Sequence, residues 1–215
     1  MANNFAPTGF RPVNTSNGPM NWRISTRRIA SSDATPIFKG DATVPVIGPA
    51  NGYITQASPA AFATAPCSGI FWGCQYLSVS QKRVVWNQYW PGSDAQGDVT
   101  AYVIDDPNAR FVVQTSGNSF QIGAAPTYSI YNFGTSPVGQ YCQLNVGAGD
   151  TLTQQSGMFI DTIGTTITFP FVVTNMVLDP PGSNGTDPQS VFNYIEVGFN
   201  NEWLRTNGAG PTGIA

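Results

Sequence analysis

Apolar and polar residues alternate in short runs along most of this chain, and Gly, Pro, Asn and Asp break the runs every few positions. Alternation with period two puts successive side chains on opposite faces of a strand, whereas a helix repeats every 3.6 residues. The pattern therefore predicts many short strands joined by turns. Ile70–Leu77 is the strongest run. Strict alternation puts Ile70, Trp72, Cys74 and Tyr76 on one face and Phe71, Gly73 and Gln75 on the other. Both faces begin with a large apolar group, so the strand is expected to be central, and Gly73 leaves room for another backbone.

Further strands are predicted from Trp22 to Thr26, Thr43–Ile47, Gly52–Ala57, Val84–Trp90, Val99–Ile104 and Arg110–Gln114. In the later part they are predicted at Thr127–Phe133, Tyr141–Val146, Met158–Asp161, Thr165–Thr174 and Val191–Phe199. Pro45 lacks an N–H for a ladder and marks Thr43–Ile47 as an edge. Asp105-Asp106-Pro107-Asn108 reads as a tight turn in which both acids cap backbone N–H groups. Prolines make a long helix over Ala57–Pro66 improbable. Asp179–Ser190 is a loop, and the tail after Arg205 is extended. The expected fold is all-β, a β-sandwich or barrel of jelly-roll type, because regularly spaced short strands close best in that way.

Residues 1–20 stand apart. Pro7, Pro12 and Pro19 lie among glycines and small polar residues, yet Phe5, Phe10 and Val13 are apolar. This predicts an extended N-terminal arm on a single β-rich domain, residues 21–215. The expectation is that Phe5, Phe10 and Arg11 dock on a neighbouring molecule, and that deleting residues 2–19 leaves the fold intact.

Composition narrows the chemistry. The 215 residues include 23 Gly and 17 Pro, and only 10% are charged, well below the usual quarter. Low charge suits surfaces that end against neighbours, since buried charge is costly to desolvate. Residues 1–83 carry a net +5 and residues 84–215 a net −8, an asymmetry that suits a basic side facing a partner. Arg23, Arg27 and Arg28 form the one basic cluster; a salt-bridging surface role is the default for them. With a net charge of −3 and no dense basic patch, direct nucleic-acid binding is not expected. No apolar run reaches the ~20 residues of a membrane-spanning helix. No basic start leads into an apolar stretch, so folding in a reducing cytoplasm is expected.

The chain has no histidine, which removes Ser-His-Asp and Cys-His chemistry from its own residues. Cys67, Cys74 and Cys142 have no metal-ligand spacing and read as small buried hydrophobes. Asp105 and Asp106 are the one adjacent acidic pair, and side chains next to each other in an extended chain diverge. They are expected to serve the turn with Pro107, not a catalytic site. No cofactor and no metal site is expected. Trp72, Trp86, Tyr89, Trp90 and Trp203 offer a glycan platform only if they are exposed together; packing is the expectation.

Four separated blocks carry a resemblance. They are Pro7-Thr8-Gly9-Phe10-Arg11-Pro12-Val13, Gly69-Ile70-Phe71-Trp72-Gly73-Cys74-Gln75-Tyr76, Asp105-Asp106-Pro107 running on to Arg110-Phe111-Val112-Val113-Gln114, and Ile195-Glu196-Val197-Gly198-Phe199-Asn200-Asn201. Together with the opening Met-Ala-Asn, they resemble a family of head cement or decoration proteins of tailed bacteriophages. The chain departs from that pattern at Asn14 and in the proline-rich loop 179–190. The resemblance implies a non-enzymatic virion protein on the outer capsid surface, made in the host cytoplasm. Its implied partners are the major capsid protein and itself, as homotrimer or homodimer. The interface residues expected on this reading are Phe5, Phe10, Arg11, Arg23, Arg27 and Arg28. The alternatives are a receptor- or glycan-binding virion module, which calls for exposed tryptophans, and a glycan-degrading enzyme, which calls for a deep acidic cleft.

Overall fold

A computed structural model describes residues 4–13, 22–47, 52–116, 137–177 and 192–203. The fold is all-β, with antiparallel sheets packed together and one turn of 3₁₀ helix at Ala61–Ala63. The predicted strand at Thr127–Phe133, the loop 179–190 and the tail after Arg205 lie outside the described residues.

The first sheet is built from β1 (Arg11–Val13), β10 (Arg110–Gln114), β14 (Tyr194–Phe199), β13 (Phe171–Met176), β11 (Tyr141–Asn145) and β12 (Phe159–Gly164), in that spatial order. The second holds β2 (Ile24–Ile29), β9 (Val99–Ile104), β6 (Gly69–Leu77), β4 (Ala42–Pro45) and β5 (Ile54–Gln56), with β7 (Val84–Asn87) paired to the far end of β6. A small third sheet joins β3 (Ile37–Phe38) to β8 (Tyr89–Trp90). Both large sheets curl enough that single bridges join strands far apart in the sheet order. A parallel bridge links Thr115, just past β10, to Ile160 of β12 in the first, and another links Arg28 of β2 to Tyr53 beside β5 in the second. Curling of this kind shortens the exposed edges.

Two apolar cores follow. The larger gathers Phe111, Val113, Phe171, Val173, Leu144, Ile195, Val197 and Phe199 of the first sheet against Ala42, Val44, Ile70 and Ile104 of the second. The smaller holds Ile29, Ile54, Phe71, Cys74, Tyr76, Val99, Ala101 and Val103 of the second sheet with Ile37 and Trp90 of the third. β6 and β9 contribute to both cores, so β6 is central, as its two apolar faces require.

Strict alternation fails at one point in β6. The ladder with β9 pairs Phe71 with Val103 and Gly73 with Tyr102, and skips Trp72. One extra residue in a strand reverses the phase beyond it. Phe71, Cys74 and Tyr76 therefore share the smaller core, while Ile70 lies in the larger with Trp72 packed against it. Gly73 behaves as read: a Cβ there would sit 2.9 Å from the Asn87 carbonyl oxygen. β4 corrects a second expectation. It lies between β5 and β6 and is not an edge; its pairing with β6 covers Ala42 and Thr43 and ends before Pro45. The missing N–H thus falls where no β6 bond is needed.

The arm is the largest correction. Phe10 is 1% exposed and belongs to the larger core. Its ring stacks on Phe171 at 4.5 Å between centroids and meets Phe111 edge-on. Arg11–Val13 then adds a strand to β10, which brings Pro12 opposite Phe111. Gly9 has φ +69°, and a Cβ on it would lie 2.7 Å from the Gly40 carbonyl oxygen. The buried Gln114 amide clamps the start of the arm, accepting from Ala6 N–H and donating to the Asn4 carbonyl. Within residues 4–13, Phe10 finds its place in the chain's own core, while Phe5 stays partly exposed against Phe159 and Phe192.

Candidate functional site

The sequence candidates at Arg23, Arg27, Asp105 and Asp106 meet at one end of the second sheet. Arg23, Ser25 and Arg27 share a face of the β2 segment by period two, and all three reach Asp105. Arg23 Nε donates to Asp105 Oδ1 at 2.9 Å, Ser25 Oγ to the same oxygen at 2.9 Å, and Arg27 Nη2 to Oδ2 at 2.9 Å. Arg23 Nη2 also donates to the Asp105 backbone carbonyl at 3.0 Å. Asp105 is buried, while the Arg23 and Arg27 side chains are 50% and 29% exposed. The hydrogen bond from Arg23 to Asp105 raises the guanidinium pKa above its ordinary value, and nearby Glu202 and Asp106 add to that.

Asp106 does different work. Its Oδ1 accepts from Asn108 N–H and its carbonyl accepts from Ala109 N–H, both at 2.9 Å. With Pro107 at the second position, this is a type I turn carrying an Asx bond. The turn leads from β9 in the second sheet to β10 in the first, so it joins the two sheets and is not a hairpin. The expectation that both acids cap backbone groups holds for Asp106; Asp105 instead gathers side chains from β2.

Aromatic rings border this clasp. Arg27 lies over the Trp203 ring at 5.9 Å, and Trp203 N–H donates to the Cys67 carbonyl. Trp22 meets Trp72 edge-on at 6.3 Å, and Lys39 Nζ sits 4.1 Å above Trp72. Arg28 faces the opposite way and pairs with Asp98 at 3.4 Å, both groups being exposed. All three arginines are thus engaged in ion pairs. Arg11 lies over the Tyr194 ring at 5.4 Å, and Phe5 is half-exposed between Phe159 and Phe192. The tryptophans do not form one platform: Trp90 is fully buried, Tyr89 stacks on Phe38, Trp72 is partly buried, and Trp86 and Trp203 are exposed.

Sequence reading missed a second buried acid. Asp41, between β3 and β4, accepts from Phe38 N–H and Gln56 Nε2, both at 2.8 Å, and bonds the Ser156 hydroxyl. Burial pushes its pKa up from 3.8 to about 6. An acid directly after Gly40 and just ahead of the strand signal at Thr43 was the available signal. A carboxyl whose folded pKa exceeds its unfolded value binds protons preferentially in the folded state. Its stabilising effect is complete below pH 3.8 and is lost as the pH rises through about 6. Asp94 and Asp150, hydrogen-bonded to Ser78 and to Leu152 N–H, have lowered pKa values and act in the opposite sense below the ordinary carboxylate range. Asp41→Asn is expected to flatten the fall in stability between about pH 4 and 6, measured as the difference in urea midpoint from wild type across that range. An unchanged pH profile would contradict this assignment.

Cys67 and Cys74 are buried, and desolvation pushes both thiols up to about 12; burial raises Cys142 as well. Among the described residues, no three His, Cys, Asp or Glu side chains lie together as a metal group. No helix among them is long and apolar enough to cross a membrane. In comparison with known proteins, the chain matches no family model, no curated protein and no solved structure.

Proposed function

We propose that this chain is a virion structural protein: a cement or decoration subunit that binds between major capsid subunits on the outer surface of a mature phage head. The observation that carries the reading is where the four family-like blocks lie. β1, β10 and β14 hold three of them and are consecutive neighbours in the first sheet. β6 holds the fourth and pairs with β9, which leads directly into Asp105-Asp106-Pro107 and β10. Blocks far apart in sequence thus form one connected frame spanning both sheets. That the resembling blocks form one frame supports reading them together, while function rests on the surfaces that the frame displays.

Those surfaces suit burial against protein. Leu152, Ile47, Val84, Trp86 and Trp203 are exposed apolar groups, and charge is scarce. Many copies, each binding only the mature lattice geometry, would add up to a large stabilisation of the shell. The partners are the major capsid protein and other copies of this chain.

The test is to prepare heads with and without the protein and to heat both. Heads lacking it are expected to melt and release DNA at lower temperature, and complete virions are expected to hold many copies. Unchanged melting and DNA retention, combined with lost attachment to host cells, would favour a receptor- or glycan-binding module instead.

A further inference from the structure

β7 is an open margin of the second sheet among the described residues. It pairs with β6 on one side only. The remaining margins are guarded: β1 carries Pro12, the β2 and β5 margins are joined through Arg28 and Tyr53, and β12 is joined to Thr115. Val84–Asn87 has no charge, no proline and no bulge, the usual devices that keep an edge from pairing.

The ladder fixes which groups face outward. Arg83 carbonyl accepts from Ser78 N–H at 2.9 Å. Hydrogen-bonded pairs alternate along an antiparallel ladder, so Tyr76–Val85 and Cys74–Asn87 are the next bonded pairs in the register with β6. The N–H and C=O of Val84 and Trp86 therefore point away from β6. The same two residues carry exposed side chains, at 61% and 53%, and Leu77, in register with Val84, is 39% exposed. Among the described residues, backbone groups without a partner and an apolar face coincide on this strand.

We propose that β7 pairs with β7 of a second copy of this chain, antiparallel about a two-fold axis through Val85. The unpaired backbone calls for a strand, and the apolar, uncharged side chains call for a partner strand of the same character, which β7 is. Pairing the outward-facing residues sets the register: Val84 of each copy lies opposite Trp86 of the other, and each such pair exchanges two backbone hydrogen bonds. Arg83 and Lys82 then fall opposite Asn87 and Gln88, so no like charges meet. The result is one continuous sheet running β6, β7, β7, β6 across the two copies. The contact is a short strand pair with a small apolar stripe, so the affinity is expected to be modest, micromolar or weaker. This pairing is independent of capsid binding, which a monomer or a dimer could equally perform.

Sedimentation of the full chain over a concentration series tests it. Wild type is expected to pass from monomer to dimer. Trp86→Lys and Val84→Lys are each expected to weaken dimerisation by about ten-fold or more, since each places two ammonium groups against the apolar strand of the other copy. Ile167→Lys, at an exposed apolar site outside β7, is expected to leave it unchanged. Circular dichroism of the variants checks that the monomer is folded. Hydrogen exchange on wild type gives a reading that needs no variant: the Val84 and Trp86 amides should be protected at high concentration and exchange fast on dilution. A strictly monomeric wild type, a trimer insensitive to both lysine variants, or a dimer in which these amides stay unprotected would each overturn the proposal.

Discussion

Phe10→Ala is expected to destabilise the protein by about 3–5 kcal/mol, the usual cost of removing a buried phenylalanine. The ring is almost fully buried, stacked on Phe171 and set against Phe111, and those two also pack on Phe199. Removing it opens a cavity at the meeting point of four rings. The surrounding backbone has little freedom to collapse into it, because Phe10 N–H is held by the Gly40 carbonyl and Arg11–Val13 is paired to β10. A loss of this size is a large share of the roughly 5–15 kcal/mol that holds a typical domain together. Phe5→Ala should cost much less, about 1 kcal/mol, since that ring keeps two-fifths of its surface exposed. Urea denaturation of the two variants decides it. Equal, small losses would mean that the arm is an accessory segment, as its proline content suggests; a large loss for Phe10 alone means that the arm completes the core. Deleting residues 2–19 should then abolish stable folding, contrary to what the sequence pattern implies.

The contrast shows where pattern reading succeeds and where it stops. Val99–Ile104 and Arg110–Gln114 emerge with the bounds expected from their sequence. Both are runs of β-branched and aromatic residues closed off by Asp, Pro and Asn, so local preference and tertiary pairing agree. β1 and β3 are invisible to the same reading, because three-residue and two-residue strands are too short to show a period. Their pairing depends wholly on β10 and β8. The phase reversal at Trp72 was hidden for a related reason: a bulge is a relation between two strands, and β6 alone carries no mark of where β9 skips a residue. At the candidate site, the Arg23-Ser25-Arg27 spacing and the Asp105-Asp106 pair were both legible as motifs. Their union was not, since Arg23 and Asp105 are 82 residues apart and meet only when β2 pairs with β9. Glu202 gave no local signal and Trp203 stood out only as one of several rings, since both follow the last described strand and are placed by the bridge from Glu202 to Cys67.

Asp105→Asn is expected to cost about 2–3 kcal/mol, while Asp106→Asn should cost about 0.5 kcal/mol or less. The two acids are adjacent in sequence and unlike in setting. Asp105 is buried and accepts three side-chain hydrogen bonds, two of them from arginines. Asparagine there replaces one carboxylate oxygen by an NH₂ group, which turns a donor against a guanidinium donor and leaves two cations without a counter-charge. Breaking a buried pair in this way costs about 3–5 kcal/mol. The figure is lowered here because the Arg23 and Arg27 side chains keep 50% and 29% of their exposure and can regain water. Asp106 offers its side chain only to Asn108 N–H in an exposed turn, and asparagine makes the same bond. Salt separates the contributions further: the loss at Asp105 should change little with ionic strength, since the carboxylate is out of reach of solvent ions. Denaturant midpoints for the two single variants, at low and high salt, make the comparison. Equal losses at the two positions would show that the pair acts only as a turn. A large, salt-insensitive loss at Asp105 alone would establish the clasp that ties β2 to the crossing between the two sheets, and with it the fixed placement of the Arg27–Trp203 surface.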